Sequence, residues 1–117
     1  MNTEQLNKIG LNDKESKIYL TLLQSGDSVV SKIAEKTGIS GPTQGHAIKI
    51  LHEARRKRAA AGKDPMGLAA AALYIACLLN SEKKTQKDIA EAAGVTEVTV
   101  RNRYKSLRRQ LNIELPD

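Results

Sequence analysis

A glycine set between two short amphipathic patterns limits the folds open to this chain more than any other feature. The stretch TQKDIAEAAGVTEVTVRNRYKSLRRQL, Thr85 to Leu111, predicts a helix, a tight turn and a second helix. Thr85 is a good N-cap, and Asp88 stands where its capping-box partner belongs. Ile89, Ala92 and Ala93 give the first helix an apolar face. Gly94 stops it, because glycine enters the left-handed C-cap conformation without steric penalty. Val95 plugs the corner between the helices, and Thr96 caps the second. Helices joined in this way cross closely, so the first needs a small residue, which Ala90 supplies.

The second helix carries two unlike faces. Val100, Tyr104, Leu107 and Leu111 fall on one stripe at helical spacing, which predicts burial. Val98, Arg101, Asn102 and Lys105 share another face that points away from the core. A valine beside arginine and asparagine is poorly suited to water. It suits a DNA major groove, where valine meets thymine methyls, arginine reads guanine and asparagine reads adenine. Val98, Arg101, Asn102 and the adjacent Thr99 are therefore the candidate base readers. Lys87, Arg103, Lys105, Arg108 and Arg109, with Lys83 and Lys84 ahead of the unit, are the candidate phosphate contacts. The bland reading of the same pattern is an ordinary helical hairpin with a solvated charged face.

Charge agrees with an acidic partner. The 117 residues carry a formal net charge of +6, with a pI near 9.6. That length predicts one domain. There is no apolar run long enough for a bilayer, and the opening MNTEQLNKIG has no apolar signal core, so an intracellular, cytoplasmic and soluble protein is expected. Cys77 is the one cysteine; it closes no intrachain disulfide, anchors no cysteine-based zinc site, and should pack as a small hydrophobe. His46 and His52 are six residues apart and share no helical face for a metal. With no phosphate-binding glycine loop and no nucleophile–base pair, neither enzyme chemistry nor a cofactor nor a metal is expected.

Apolar residues recur at three and four along the rest of the chain, β-branched alternation is lacking, and the only aromatics are three tyrosines, so the fold class is all-α. Asn12 and Glu15 open a helix over Asp13 to Gln24 that Gly26 ends. Ser28 to Thr37 follows, with Val29, Val30, Ile33 and Ala34 inward and Gly38 as its C-cap. Pro42 takes the first position of a helix reaching Arg58, with Ala47, Ile48, Ile50 and Leu51 apolar. Ala34 and Gly38 repeat the spacing of Ala90 and Gly94. A second helix-turn-helix is thus expected from Val30 to Leu51. Gln44 stands there where Val100 stands later, and Gly45 weakens the helix, so this copy should pack rather than read. Arg55 to Arg58 form a basic run, either a solvated helix end or a phosphate contact. After a break at Gly62, Asp64 and Pro65 start PMGLAAAALYIACLLN, apolar nearly all round and expected at the centre. Asn112 to Asp117 form a short tail.

Three of these stretches carry a resemblance. GISGPTQGHAIKIL, AAAGKDPMGLAAAALYIACLL and EKKTQKDIAEAAGVTEVTVRNRYKSL closely resemble the second cyclin-like repeat of archaeal transcription initiation factor B, whose eukaryotic counterpart is factor IIB. The match runs from about Asp27 to Pro116 and is most specific over Gly62 to Leu107. It implies a five-helix cyclin fold, a place on the complex of TATA box and TATA-binding protein, and major-groove contact upstream of the TATA box. The family's base readers fall on Val98 and Arg101. Its zinc ribbon, linker and first cyclin repeat have no counterpart here, so the resemblance is to one repeat. The opening LNKIGLNDKESKIYLTLLQSGDSVVSKIAEKTGIS, Leu6 to Ser40, resembles the start of TrmB-type winged-helix regulators, but IKILHEARRKR follows where a β-wing would come.

The expected organisation is a regulator-like helical segment over residues 1–26 and a cyclin-like repeat over 27–117, with its helix-turn-helix at 85–111. The expected function is a nucleoid-associated, promoter-reading transcription protein whose partners are double-stranded DNA and the TATA-binding protein. The alternative is a protein-interaction module, a competitor for TATA-binding protein or full-length factor B. The resemblance to dimerising regulators adds homodimerisation through the opening helix as an alternative assembly.

Overall fold

The computed structural model describes residues 27–59 and 64–115. The expected helix Asp13–Gln24, its glycine stop, the Gly62 break and the Pro116 end lie outside the described residues. The described residues form five α-helices and no strand: α1 Asp27–Thr37, α2 Gly41–Arg56, α3 Pro65–Leu79, α4 Gln86–Ala93 and α5 Glu97–Gln110. This is the all-α architecture expected of a cyclin-like repeat.

Helix α3 is the hub because its sequence leaves it no polar side. Asp64 caps it, its carboxylate accepting from the Met66 and Gly67 amides, and Pro65 occupies the first turn, where a missing N–H costs nothing. Every residue from Gly67 to Cys77 except Tyr74 is buried. Ala69 to Ala72 have no exposed surface, and each small side chain lets a neighbouring helix come close. The other four helices all pack against α3. Each brings an apolar stripe: Val30 and Ile33 from α1, Ala47, Ile50, Leu51 and Ala54 from α2, Ile89 from α4, Val100 and Leu107 from α5. Full burial of such an Ile or Leu stabilises by roughly 1.5–3 kcal/mol.

The structure adjusts several local expectations. Helix α2 begins at Gly41, so Pro42 is its second residue, and Ser40 is the N-cap. It ends at Arg56; Lys57 caps it, and Arg58 turns left-handed at φ 59°, allowing buried Ala59 to bond back to the Ala54 carbonyl at 2.7 Å. Val29 faces inward as expected but is only half-buried, packing against the edge of the core. The short tail is tied down over its described part: Ile113 bonds to the Arg108 carbonyl at 3.0 Å, and Ile113 and Leu115 pack against the core. Among the described residues, no helix is long and apolar enough to cross a membrane.

Candidate nucleic-acid interface

The α4–α5 unit forms as its residues dictate. The Thr85 hydroxyl accepts from the Asp88 amide at 3.0 Å, and the Asp88 carboxylate accepts from the Thr85 amide at 3.2 Å. Those bonds close the capping box and hold the Asp88 carboxyl below its ordinary range. Gly94 adopts φ 69°, and Val95 donates to the Ala90 carbonyl at 3.1 Å across the turn. Ala90 and Ala93 are buried and Ala92 is half-buried. On α5, Thr96 accepts from the Thr99 amide at 3.1 Å.

The buried stripe of α5 is as expected in outline. Val100 and Leu107 are buried; Tyr104 and Leu111 are half-buried. Tyr104 meets the Tyr74 ring of α3 edge-on, with centroids 5.1 Å apart. Its hydroxyl accepts from Arg108 Nη1 at 3.4 Å.

The opposite face is open. Val98, Arg101, Asn102 and Lys105 are all exposed. Val98 is 55% exposed, the one large apolar side chain so placed among the described residues. Lys83, Lys87, Arg108 and Arg109 are exposed as well, while Lys84 and Arg103 are half-buried. Among the described residues, none of these cations takes part in an ion pair. The basic end of α2 contrasts with this. Arg56 donates through Nε and Nη2 to both oxygens of Glu53, at 3.1 and 2.5 Å, and Lys57 Nζ lies 3.6 Å from the same carboxylate. The Arg56 hydrogen bonds are the main reason the Glu53 carboxyl titrates below its ordinary value.

Two candidate residues are drawn inward. The Thr99 methyl packs on α3, 3.1 Å from where a Cβ on Gly67 would sit, and its hydroxyl meets that of Thr96 at 3.0 Å. Arg103 Cγ lies 3.7 Å from the same point on Gly67, and its Nε is buried without a hydrogen-bond partner. Gly67 thus marks the close approach of α3 and α5, which the sequence reading did not identify.

Tertiary packing adds a cation that the sequence reading left out. Helix α1 packs on α4, and Lys36 and Thr37 line one depression of about 540 Å³ with Lys84, Asp88, Glu91 and Ala92. Nothing in the local sequence pairs Lys36 with Lys84. A second depression of about 450 Å³, lined by Lys105, Arg108, Arg109, Asn112, Ile113 and Glu114, continues the basic surface past the end of α5.

The remaining chemistry-bearing groups have structural surroundings. Cys77 has no exposed surface, and burial pushes its thiol up to about 11. His52 Nε2 lies 3.2 Å from Asp27 Oδ1, and His46 Nδ1 lies 3.2 Å from Asn80 Nδ2. Among the described residues no cluster of His, Cys, Asp and Glu is placed to hold a metal.

A strandless arrangement of five described helices around α3 is consistent with what the chain is similar to. Residues 20–110 match the model of the transcription factor TFIIB repeat. The chain is 57% identical over 88 residues to transcription initiation factor IIB of Sulfurisphaera tokodaii, covering 75% of this chain and 29% of that protein. It is 59% identical over 87 residues to the factor IIB of Pyrobaculum islandicum, covering 74% of this chain and 26% of that protein. The factor IIB of Saccharolobus shibatae is 55% identical over 87 residues, 74% of this chain and 28% of that protein. The chain thus spans less than a third of the length of these relatives. With the match covering most of its length, the chain belongs to the transcription factor TFIIB repeat family.

Proposed function

We propose that this chain is a DNA-binding transcription-initiation module that reads promoter DNA through the major groove with α5. One observation carries the reading: Val98 stands 55% exposed in a ring of hydrophilic neighbours, Arg101, Asn102 and Lys105, on the open side of a capped helix. An apolar side chain held in water gains nothing for the fold, but against a thymine methyl it contributes to recognition. Val98, Arg101 and Asn102 read base edges. Lys83, Lys84, Lys87, Lys105, Arg108 and Arg109 hold phosphates, aided by half-buried Arg103. Thr99 belongs to the packing edge, since its methyl and hydroxyl already have partners within the protein. The similar proteins are named as initiation factors, which supports promoter DNA and the TATA-binding protein as partners. Residues 1–26 are proposed as an added regulator-like segment, ahead of the repeat.

Selection of bound sequences from random DNA at fixed salt, with and without TATA-binding protein, tests this. The expected result is an enriched motif that Arg101→Ala flattens at one base position. Enrichment only with TATA-binding protein assigns the chain to the initiation complex, and enrichment without it to an autonomous regulator. Binding to that protein with no DNA enrichment under either condition establishes the interaction-module reading instead.

A further inference from the structure

Glu82 lies in the loop between α3 and α4, outside the surface described above, and its carboxylate is fully engaged with α2. It accepts from the Ser40 amide at 3.3 and 3.2 Å, and from the Ser40 and Thr43 hydroxyls. Ser40 is the N-cap of α2, and its own side chain bonds no amide of that helix. The carboxylate therefore takes the amide of the N-cap residue, one of the unpaired donors at the start of α2, and is delivered from 42 residues away in the chain. Those hydrogen bonds, the Ser40 hydroxyl foremost, hold the Glu82 carboxyl below its ordinary range, so it is ionised at neutral pH. A second pin lies beside it, where Asn80 Nδ2 meets His46 Nδ1 at 3.2 Å. The loop from Asn80 to Thr85 is thus fastened to α2 at two points. Directly after the clip come Lys83, Lys84 and the Thr85 cap of α4.

We propose that Glu82 is a positioning residue for DNA binding, which clips the α3–α4 loop to α2 and so fixes Lys83 and Lys84 against the phosphate backbone. This rests on the DNA-reading function proposed above. Held lysines lose less freedom on meeting a phosphate than lysines on an untethered loop, so the clip strengthens binding without touching DNA. The sign of its effect separates this role from simple electrostatics. A carboxylate near two lysines repels phosphate, so deleting its charge would by field alone tighten DNA binding. Loss of positioning weakens it.

The test compares wild type, Glu82→Ala, Glu82→Gln and the double variant Ser40→Ala/Thr43→Ala for affinity to the selected DNA over a salt series. Each variant is first shown to be folded by circular dichroism. Glu82→Ala is expected to bind about threefold to tenfold more weakly, with a log–log salt slope shallower by roughly one to two units, as when one or two phosphate contacts are lost. Base preference at the Arg101 position stays unchanged. Ser40→Ala/Thr43→Ala, which removes hydroxyl donors but keeps the charge, gives a similar loss. Glu82→Gln, which keeps an oxygen acceptor, recovers most of the affinity. In a Lys83→Ala/Lys84→Ala background, Glu82→Ala has no further effect. Equal or tighter binding by Glu82→Ala, or an undiminished loss in the lysine-free background, overturns the clip while leaving the α5 reading intact. Absence of DNA binding by wild type overturns the α5 reading, and the clip's role with it.

Discussion

The α1–α2 and α4–α5 units turn on the same backbone geometry and end in different surfaces. Gly38 and Gly94 are both left-handed, at φ 75° and 69°. Ile39 bonds to Ala34 and Val95 to Ala90, each at 3.1 Å. Ser40 and Thr96 both stand at the N-cap position of the next helix, and each meets a threonine hydroxyl three residues on, at 3.1 and 3.0 Å. The two second helices diverge in the side chains around that shared threonine. Where α5 buries Val100, α2 has half-buried Gln44, whose Nε2 donates to the Ser31 hydroxyl at 2.7 Å. Where α5 presents Val98, Arg101, Asn102 and Lys105, α2 has Pro42, Gly45, His46 and Lys49. Glu82 sits on the start of α2, whereas among the described residues the side-chain hydrogen bonds at the start of α5 stay within its own first turn. A helix-turn-helix backbone is therefore a packing solution first. The outward residues, and what covers the second helix's start, decide whether it can meet another molecule.

The comparison is broken most severely from inside. Ile33 and Ile89 occupy corresponding places and are 1% and 0% exposed. Alanine at either should cost about 2–5 kcal/mol, seen as a lowered denaturant midpoint. Similar losses mean that both units hold up one core; a trivial loss at Ile33 would make the first unit dispensable. Next in size, Arg101→Ala should cost about 1–3 kcal/mol on the selected DNA site. Its mirror change, Gly45→Arg, should leave base preference untouched in the same selection. A new preference from Gly45→Arg would mean that α2 also reads.

Smaller effects sharpen the contrast between two glycines. Gly94→Ala forces a side chain into a left-handed position and should destabilise by about 1–2 kcal/mol. Gly45 lies in an ordinary helical stretch with nothing within 4 Å of an added Cβ, so Gly45→Ala should stabilise by about 0.5–1 kcal/mol. Thermal melts of the two variants should shift in opposite directions. The smallest effect is acid sensitivity. The Glu82 and Asp88 carboxyls are both depressed on folding, so the stability they contribute is present above their unfolded values and is lost as pH falls through the folded ones. Glu82→Gln should flatten part of that acid limb in urea titrations and leave the Asp88 part. An unchanged limb would mean that the Glu82 hydrogen bonds do not persist in solution.

Much of this molecule is legible in its sequence because the relevant physics is short-range. The Thr85–Asp88 box, the Gly94 stop, the Asp64–Pro65 start and the outward set Val98, Arg101, Asn102 and Lys105 each depend on a few neighbouring residues and a helical period. The buried alanines of α3 announce a central helix for the same reason. Thr99 and Arg103 were less legible. Whether each faces outward or packs depends on how near α3 comes, and that distance is set by Gly67 in another helix. Lys36 meets the Lys84 depression only because α1 packs on α4.

The sequence by itself determined, to within a residue or two, where the described helices start and stop, which stripe of each is apolar, and that two similar turns recur. Those outcomes follow from capping bonds and side-chain periodicity, which act within one or two helical turns. Only the tertiary structure decided that, among the described residues, a carboxylate covers α2's start and none covers α5's. That choice depends on the α3–α4 loop reaching back to Ser40 and Thr43, and hydrogen bonds spanning so much chain exist only once the core has brought their partners together.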